Sequence, residues 1–79
     1  MTVTVLLFAD LRLAAGRSEL RLPLPEPASV RTAAEALERE LGSGRLSGAM
    51  VAVNERYAAP STALADGDVV AFLPPVSGG

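Results

Sequence analysis

Only one stretch of this 79-residue chain, Val30 to Leu41, has both the period and the punctuation of a full helix. Ala33, Ala34, Glu35, Ala36, Leu37, Glu38, Arg39 and Glu40 are almost all strong helix formers. Val30, Ala33, Leu37 and Leu41 recur at helical spacing and make one apolar stripe. Ser29 stands where an N-cap hydroxyl accepts from an unpaired N–H of the first turn. Gly42 stops the helix as a C′ residue, and Glu35 and Arg39 are a favourable pair one turn apart. A single striped helix has to bury its stripe, and in so short a chain the available partner is a sheet.

The remaining segments supply that sheet. In Met1 to Phe8, Val3, Val5 and Leu7 fall on one face and Thr4, Leu6 and Phe8 on the other, the period of a strand. Asp10 to Gly16 reads as a connection with Gly16 as its turn residue. Glu19 to Leu24 alternates Leu20, Leu22 and Leu24 with Glu19, Arg21 and Pro23, a half-buried strand whose proline suits an edge or an end. Pro25-Glu26-Pro27 breaks it before the helix. After a flexible connection from Gly42 to Gly48, Ala49 to Val53 is a short strand. Asn54-Glu55 turns the chain into a brief strand around Tyr57, and Ala58 to Leu64 is irregular. Asp66-Gly67-Asp68 is a tight turn, Gly67 supplying the positive φ such turns often need. Val69 to Leu73 is the last strand, ended by Pro74-Pro75. Strand, strand, helix, strand, short strand, strand predicts an α+β fold of β-grasp topology. Its mixed four- to five-stranded sheet packs on one main helix, and the first and last strands lie parallel in the centre. The domain is expected over residues 1–74, with 75–79 as an extended, flexible C-terminal tail. If Val70 and Phe72 face the helix, Val69, Ala71 and Leu73 face away from it. An exposed apolar patch of Leu6, Phe8, Ala71 and Leu73 then results, and such patches mark partner sites.

Composition closes off most other functions. Apolar residues are 49% of the chain, enough for a core. There is no Cys, His or Lys; all seven basic residues are Arg, a usage that Arg-biased codons would also produce. Disulfides, thiol chemistry, an imidazole proton shuttle, a lysine Schiff base and a Cys/His zinc site are therefore excluded within this sequence. Asp66 and Asp68 lack the further oxygen ligands a hard cation needs, so no metal site is expected there. Glu35, Glu38 and Glu40 belong to a solvated helix face. Net charge is −2, the arginines are scattered and the aromatics are only Phe8, Tyr57 and Phe72, which speaks against nucleic acid as a partner. No apolar run, Val5 to Ala9 included, exceeds five residues, far too short for a bilayer, and no signal-like segment opens the sequence. No membrane association and a cytoplasmic location are the expectations.

The sequence closes on Gly78-Gly79. Glycine has no Cβ, so a diglycine end can enter a channel that side chains would block. Five extended residues from Pro75 reach about 17 Å, and the two prolines would stiffen the base of such a tail. The block Leu64-Ala65-Asp66-Gly67-Asp68-Val69-Val70-Ala71-Phe72-Leu73 followed by Pro74-Pro75-Val76-Ser77-Gly78-Gly79, with Asn54 after a strand, closely resembles the end of the molybdopterin synthase small subunit, of the ubiquitin-like MoaD/ThiS family. Leu7-Phe8-Ala9-Asp10-Leu11-Arg12 followed by Gly16 is similar to that family's start. One departure is Val69, where relatives can carry a charged residue; it makes the outward side of the last strand more apolar.

The resemblance implies a sulfur carrier with no side-chain active site of its own, a donor subunit of a transferase complex. Its working group is the carboxylate of Gly79. An E1-like adenylating enzyme uses ATP and Mg²⁺ to activate it, and a persulfide sulfurtransferase supplies sulfur to make a thiocarboxylate. The tail, Pro75, Val76, Ser77, Gly78 and Gly79, then threads into the molybdopterin synthase large subunit and gives its sulfur to the cyclic pterin precursor during molybdenum cofactor biosynthesis. It further implies partner contacts at Phe8, Tyr57 and Leu73, beside Leu6 and Arg12 from the patch and loop, and no bound cofactor. Two other roles fit the same end: sulfur donation for thiamine thiazole or cysteine synthesis, and ubiquitin-like modification of proteins. In the second, the lack of Lys bars the chain from extending itself through lysine linkages.

Overall fold

In the computed structural model, which describes residues 1–75, the chain runs β1 (Thr2–Leu7), α1 (Ala9–Ala15), β2 (Glu19–Pro23), β3 (Ala28–Ser29), α2 (Val30–Leu41), β4 (Met50–Val53), β5 (Arg56–Tyr57), β6 (Ala63–Leu64) and β7 (Val69–Leu73). Five strands form one mixed sheet in the order β2-β1-β7-β4-β5, and β3 and β6 make a separate two-stranded pair. β1 and β7 are parallel neighbours at its centre, and the pairs β1–β2, β4–β7 and β4–β5 are antiparallel. This is the β-grasp arrangement expected from the element order.

The alternation in β1 and β7 becomes the core. Val3, Val5, Leu7, Val70 and Phe72 are essentially inaccessible, and Leu20 and Leu22 of β2 join them. Val30, Ala33, Ala36 and Leu37 of α2 are buried in the same cluster, with Leu24, Ala28, Leu46 and Leu64 beside them. Leu41, the last residue of the expected stripe, is only half-buried. The Ser29 cap is present as a full capping box. Thr32 N–H donates to Ser29 Oγ at 3.4 Å while Ser29 N–H donates to Thr32 Oγ1 at 3.0 Å. Gly42 N–H closes the helix on the Glu38 carbonyl.

Two parts of the chain differ from the sequence reading. Ala9–Ala15 is a short helix, not a connection. Its N-cap, Phe8, has no capping side chain, and one inward residue, Leu11, is fully buried. Its residues are good helix formers, but seven are too few to hold a helix alone, so burial of Leu11 secures it. In the segment read as irregular, Ala63–Leu64 pairs with Ala28–Ser29, so that the approach to α2 is tied to the loop before β7.

The two turns at the far end of the sheet interlock. Asn54 and Glu55 both have positive φ (50° and 71°) and join β4 to β5 as a two-residue hairpin. Asn54 Nδ2 donates to Asp68 Oδ1 at 3.0 Å, and Asn54 Oδ1 accepts from Val69 N–H at 2.9 Å. Asp68 Oδ2 accepts from Ala65 N–H at 2.8 Å, and Asp66 Oδ1 from Thr2 N–H at 2.7 Å. The Asp-Gly-Asp segment is thus a turn whose carboxylates hold backbone, as its sequence predicts. The Ala65 N–H first, and Asn54 second, hold the Asp68 carboxyl below the usual carboxylate range.

That shift has a direction in pH. A carboxyl whose folded pKa is depressed contributes stability above its unfolded value, near 3.8, and loses it as pH falls through the lower folded value. Asp68→Asn is expected to be less stable than the parent at pH 7. In urea denaturation at a series of pH values, the gap between the two should close as pH falls below 3.8. A gap that does not change with pH would contradict this role for the ionised group.

Candidate functional site

The sheet has one face under α2 and one face bare. Strand register fixes what stands on the bare face. Leu6 of β1 is opposite Ala71 of β7, Ala71 is opposite Ala52 of β4, and Ala52 is opposite Tyr57 of β5. One apolar row therefore crosses four strands. In the next row Leu73 is opposite Met50, and Phe8 follows directly after the end of β1. Phe8, Met50, Tyr57 and Val69 are among the large apolar side chains left exposed, Tyr57 at 73%. Leu6, Ala71 and Leu73 are half-buried by their neighbours in the row.

The sequence pattern placed Leu6, Phe8, Ala71 and Leu73 here, and the structure brings them together. Tyr57, expected from the resemblance alone, joins them because β5 pairs in register with Ala52. Met50 was not singled out from sequence; the signal was its alternation with Val51, which faces the core side opposite Phe72. Arg12 stands at the margin. With Leu6, Leu7, Phe8, Ala9, Ser18 and Glu19 it lines an open depression of about 290 Å³ beside the patch. A cation at the rim of an apolar surface suits a partner whose own apolar patch is edged with carboxylates.

The chain leaves the sheet within the patch. Leu73 ends β7 inside it and leads directly into Pro74 and Pro75. Pro75 is exposed. Val76, Ser77, Gly78 and Gly79, the expected threading residues and working carboxylate, lie outside the described residues. Among the described residues no group of three or more His, Cys, Asp and Glu could hold a metal ion, and no helix is long and apolar enough to cross a membrane. The arrangement can dock and present; the described side chains assemble no acid–base or nucleophilic centre.

A β-grasp sheet with one helix-covered face, one bare apolar face and a chain end leaving beside it defines a ubiquitin-like protein of the carrier and modifier class. The ThiS family model matches residues 5–79, and the chain belongs to that family of ubiquitin-like sulfur carriers. Solved structures agree. The small archaeal modifier protein 1 of Haloferax volcanii is 32% identical over 100% of both chains, with a TM-score of 0.89. A candidate subunit 1 of the molybdopterin converting factor from Pyrococcus furiosus is 36% identical over 96% of this chain and 99% of that one, with a TM-score of 0.82. The Helicobacter pylori complex of subunits 1 and 2 of molybdopterin-converting factor contains a chain 26% identical over 100% of both, with a TM-score of 0.71. No curated protein matches.

If the bare face is a docking surface and not core, charges there should leave the fold intact. Phe8 occupies an N-cap, where an aspartate oxygen can accept from the first-turn N–H groups. Phe8→Asp and Tyr57→Asp are each expected to change unfolding free energy by less than about 1 kcal/mol. Phe72→Ala, which empties the core, should cost about 3–5 kcal/mol. Urea denaturation measures all three; a large loss from either aspartate would place that residue in the core.

Proposed function

We propose that this chain is the sulfur carrier subunit of a molybdopterin synthase, and that its Gly79 carboxylate carries the sulfur. The observation that supports this most is the coincidence of the bare apolar face with the root of the tail. Leu73 belongs to the patch and Pro74 begins the exit, so docking the sheet face on a partner presents the chain end to the same partner.

The chemistry follows from the weakness of a carboxylate as an electrophile. With a pKa near 3.5 the α-carboxyl is charged at neutral pH and repels nucleophiles. An E1-like enzyme, using ATP and Mg²⁺, joins it to AMP and releases pyrophosphate. The terminal sulfur of a persulfide on a sulfurtransferase displaces AMP and joins the acyl carbon as an acyl disulfide. A second thiol then reduces the S–S bond, which leaves a disulfide between the two thiol sulfurs and a thiocarboxylate on Gly79. That group stays ionised at neutral pH and is a soft nucleophile. The tail Pro75 to Gly79 then enters the large subunit, where sulfur passes to the cyclic pterin precursor. The partner supplies the acids and bases, in keeping with a chain that has no His, Cys or Lys. Phe8, Tyr57, Leu73, Leu6 and Arg12 make the docking contacts. The carrier holds no cofactor of its own.

A second reading is supported by the likeness to small archaeal modifier protein 1. In it the activated Gly79 acylates amines of target proteins. Both readings use the same activation and the same face, and they part at the acceptor.

Intact mass of the protein recovered from its own cells should show one terminal oxygen replaced by sulfur, and deleting Gly79 should remove that species. Phe8→Asp should weaken the complex with the large subunit at least tenfold, as loss of an aromatic anchor does. Gly79-dependent adducts on other proteins, with no thiocarboxylate, would move the assignment to the modifier reading. A chain that functions equally without Gly78-Gly79 would end both.

A further inference from the structure

We propose that Ala9 is a positioning residue: its left-handed backbone angle holds Arg12 beside Phe8, so that a partner meets the two in one preset geometry. The functional half of this inference rests on the docking role given to the bare face above; the backbone angle does not.

Three non-glycine residues among those described have positive φ: Ala9 at 52°, Asn54 at 50° and Glu55 at 71°. Asn54 and Glu55 form the β4–β5 hairpin, a two-residue turn that favours positive φ at its central positions. Ala9 has no such turn to account for it. It stands at the junction of β1 and α1, where the left-handed angle brings the Cβ of an L residue too close to the following carbonyl oxygen. Glycine takes such an angle without strain, as Gly16 does at the other end of α1 with φ of 74°.

The angle at Ala9 decides where α1 points. Phe8 is still extended, with φ of −128° and ψ of 155°, and stays in phase with Leu6 on the bare face. One residue later the chain is helical. Leu11 N–H at 3.1 Å and Arg12 N–H at 3.4 Å both approach the Phe8 carbonyl as donors. An ordinary helical φ at Ala9, about −60°, would swing the chain beyond it by roughly 110° around the N–Cα bond. Leu11 would leave the core, and Arg12 would leave the depression that it lines with Phe8 and Ala9. Two ties sustain the strained angle, burial of Leu11 and the bond from Leu7 N–H to the Ser18 carbonyl at 2.9 Å beyond the helix.

Alanine does here what glycine would not. The left-handed region open to alanine is small, whereas glycine ranges over both signs of φ. Ala9 therefore sets the angle narrowly, at a cost in strain. That strain falls between the exposed aromatic and the cation of the docking face, the kind of site where backbone strain concentrates. Leu11 fixes one side of α1 in the core, and the angle at Ala9 keeps Arg12 on the side of Phe8. A partner then has no need to order the pair on binding.

Chemical synthesis of the full 79-residue chain admits D-alanine at position 9. D-Alanine prefers positive φ, so it keeps the angle and relieves the strain. In the free wild-type chain a strong intraresidue Overhauser contact between the Ala9 amide and α-protons is expected, the mark of positive φ; a weak one overturns the proposal. The urea midpoint should be higher for the D-alanine form than for wild type, and a lower one overturns the strain at Ala9 and the proposal with it. Ala9→Gly should fold with a midpoint near wild type, because strain relief offsets the added freedom of the unfolded chain. Binding to the molybdopterin synthase large subunit, read by titration calorimetry, should rank the three differently. Ala9→Gly should bind about three- to tenfold more weakly than wild type, as backbone freedom at one residue is lost on binding, and the D-alanine form should return to within about twofold. An Ala9→Gly complex as tight as wild type overturns the positioning role. A D-alanine form as weak as Ala9→Gly also overturns it, since the methyl group and not the angle would then be what the partner reads. If wild type itself does not bind the large subunit, the docking reading fails and takes this proposal with it; failure of the positioning role alone leaves wild-type binding intact.

Discussion

The parallel pairing of β1 with β7 is the constraint on which the other elements depend. It joins residues from opposite ends of the chain, so its closure entropy must be recovered from burial. Val5 stands opposite Val70 and Leu7 opposite Phe72, and all four are essentially inaccessible. A slip of β1 by one residue along β7 would turn Leu6 inward and expose Val5 and Leu7, leaving Val70 and Phe72 without their partners. The register is pinned from the turn side. Gly67 N–H donates to the Thr2 carbonyl at 2.8 Å and Thr4 N–H to the Asp68 carbonyl at 2.9 Å, while Asn54 holds Asp68 and Val69. The polar clasp at one end of the strands leaves the other end, at Phe8 and Leu73, without any need for polar ties.

From the same pairing the protein obtains two unlike faces. Inward positions take α2, and outward positions make an apolar surface that α2 cannot reach. A sheet bare on one side risks pairing or stacking with other chains, and its edges matter accordingly. The β2 edge carries outward Glu19 and Arg21 and ends on Pro23, so it offers charge and a missing N–H to an incoming strand. The β5 edge is two residues long. The larger part of the outward apolar surface, Val69 aside, lies in the middle of the face and at the end where the chain departs, the region the proposed partners would cover.

The sequence made the large elements legible because each carried a strong local signature. Val3, Val5 and Leu7 alternate cleanly, and Ser29 and Gly42 bracket a helix of good formers. What stayed hidden was held by contacts between distant residues. Leu11, with Ala15 beside it, keeps α1 against the core, and no N-cap side chain or apolar stripe announces the helix. The Ala28–Ser29 and Ala63–Leu64 pair is too short to have a period at all. Leu46, inside a run of Gly, Ser and Arg, gives no local sign that it is buried and anchors its loop. On the site side, strand alternation was enough for Leu6, Ala71 and Leu73. Tyr57 required the register of a two-residue strand, and only the resemblance pointed to it.

A chain that carries an activated acyl group faces a hazard of its own making: any nearby nucleophile can intercept the cargo. Under the carrier reading, the amino-acid inventory removes the strongest side-chain nucleophiles. No Cys, His or Lys occurs in the sequence, and the only cationic side chains are guanidiniums, which stay protonated and are not nucleophilic. Whatever set the Arg-only composition, its chemical effect is that no copy of this chain offers a thiol, an imidazole or a side-chain amine to the activated end of another. The loss of ordinary catalytic residues is then compatible with, and even useful for, a protein whose reactivity is conferred and discharged by others. Under that reading, selection on such a chain falls on geometry: a sheet face that fits the partners that charge and discharge it.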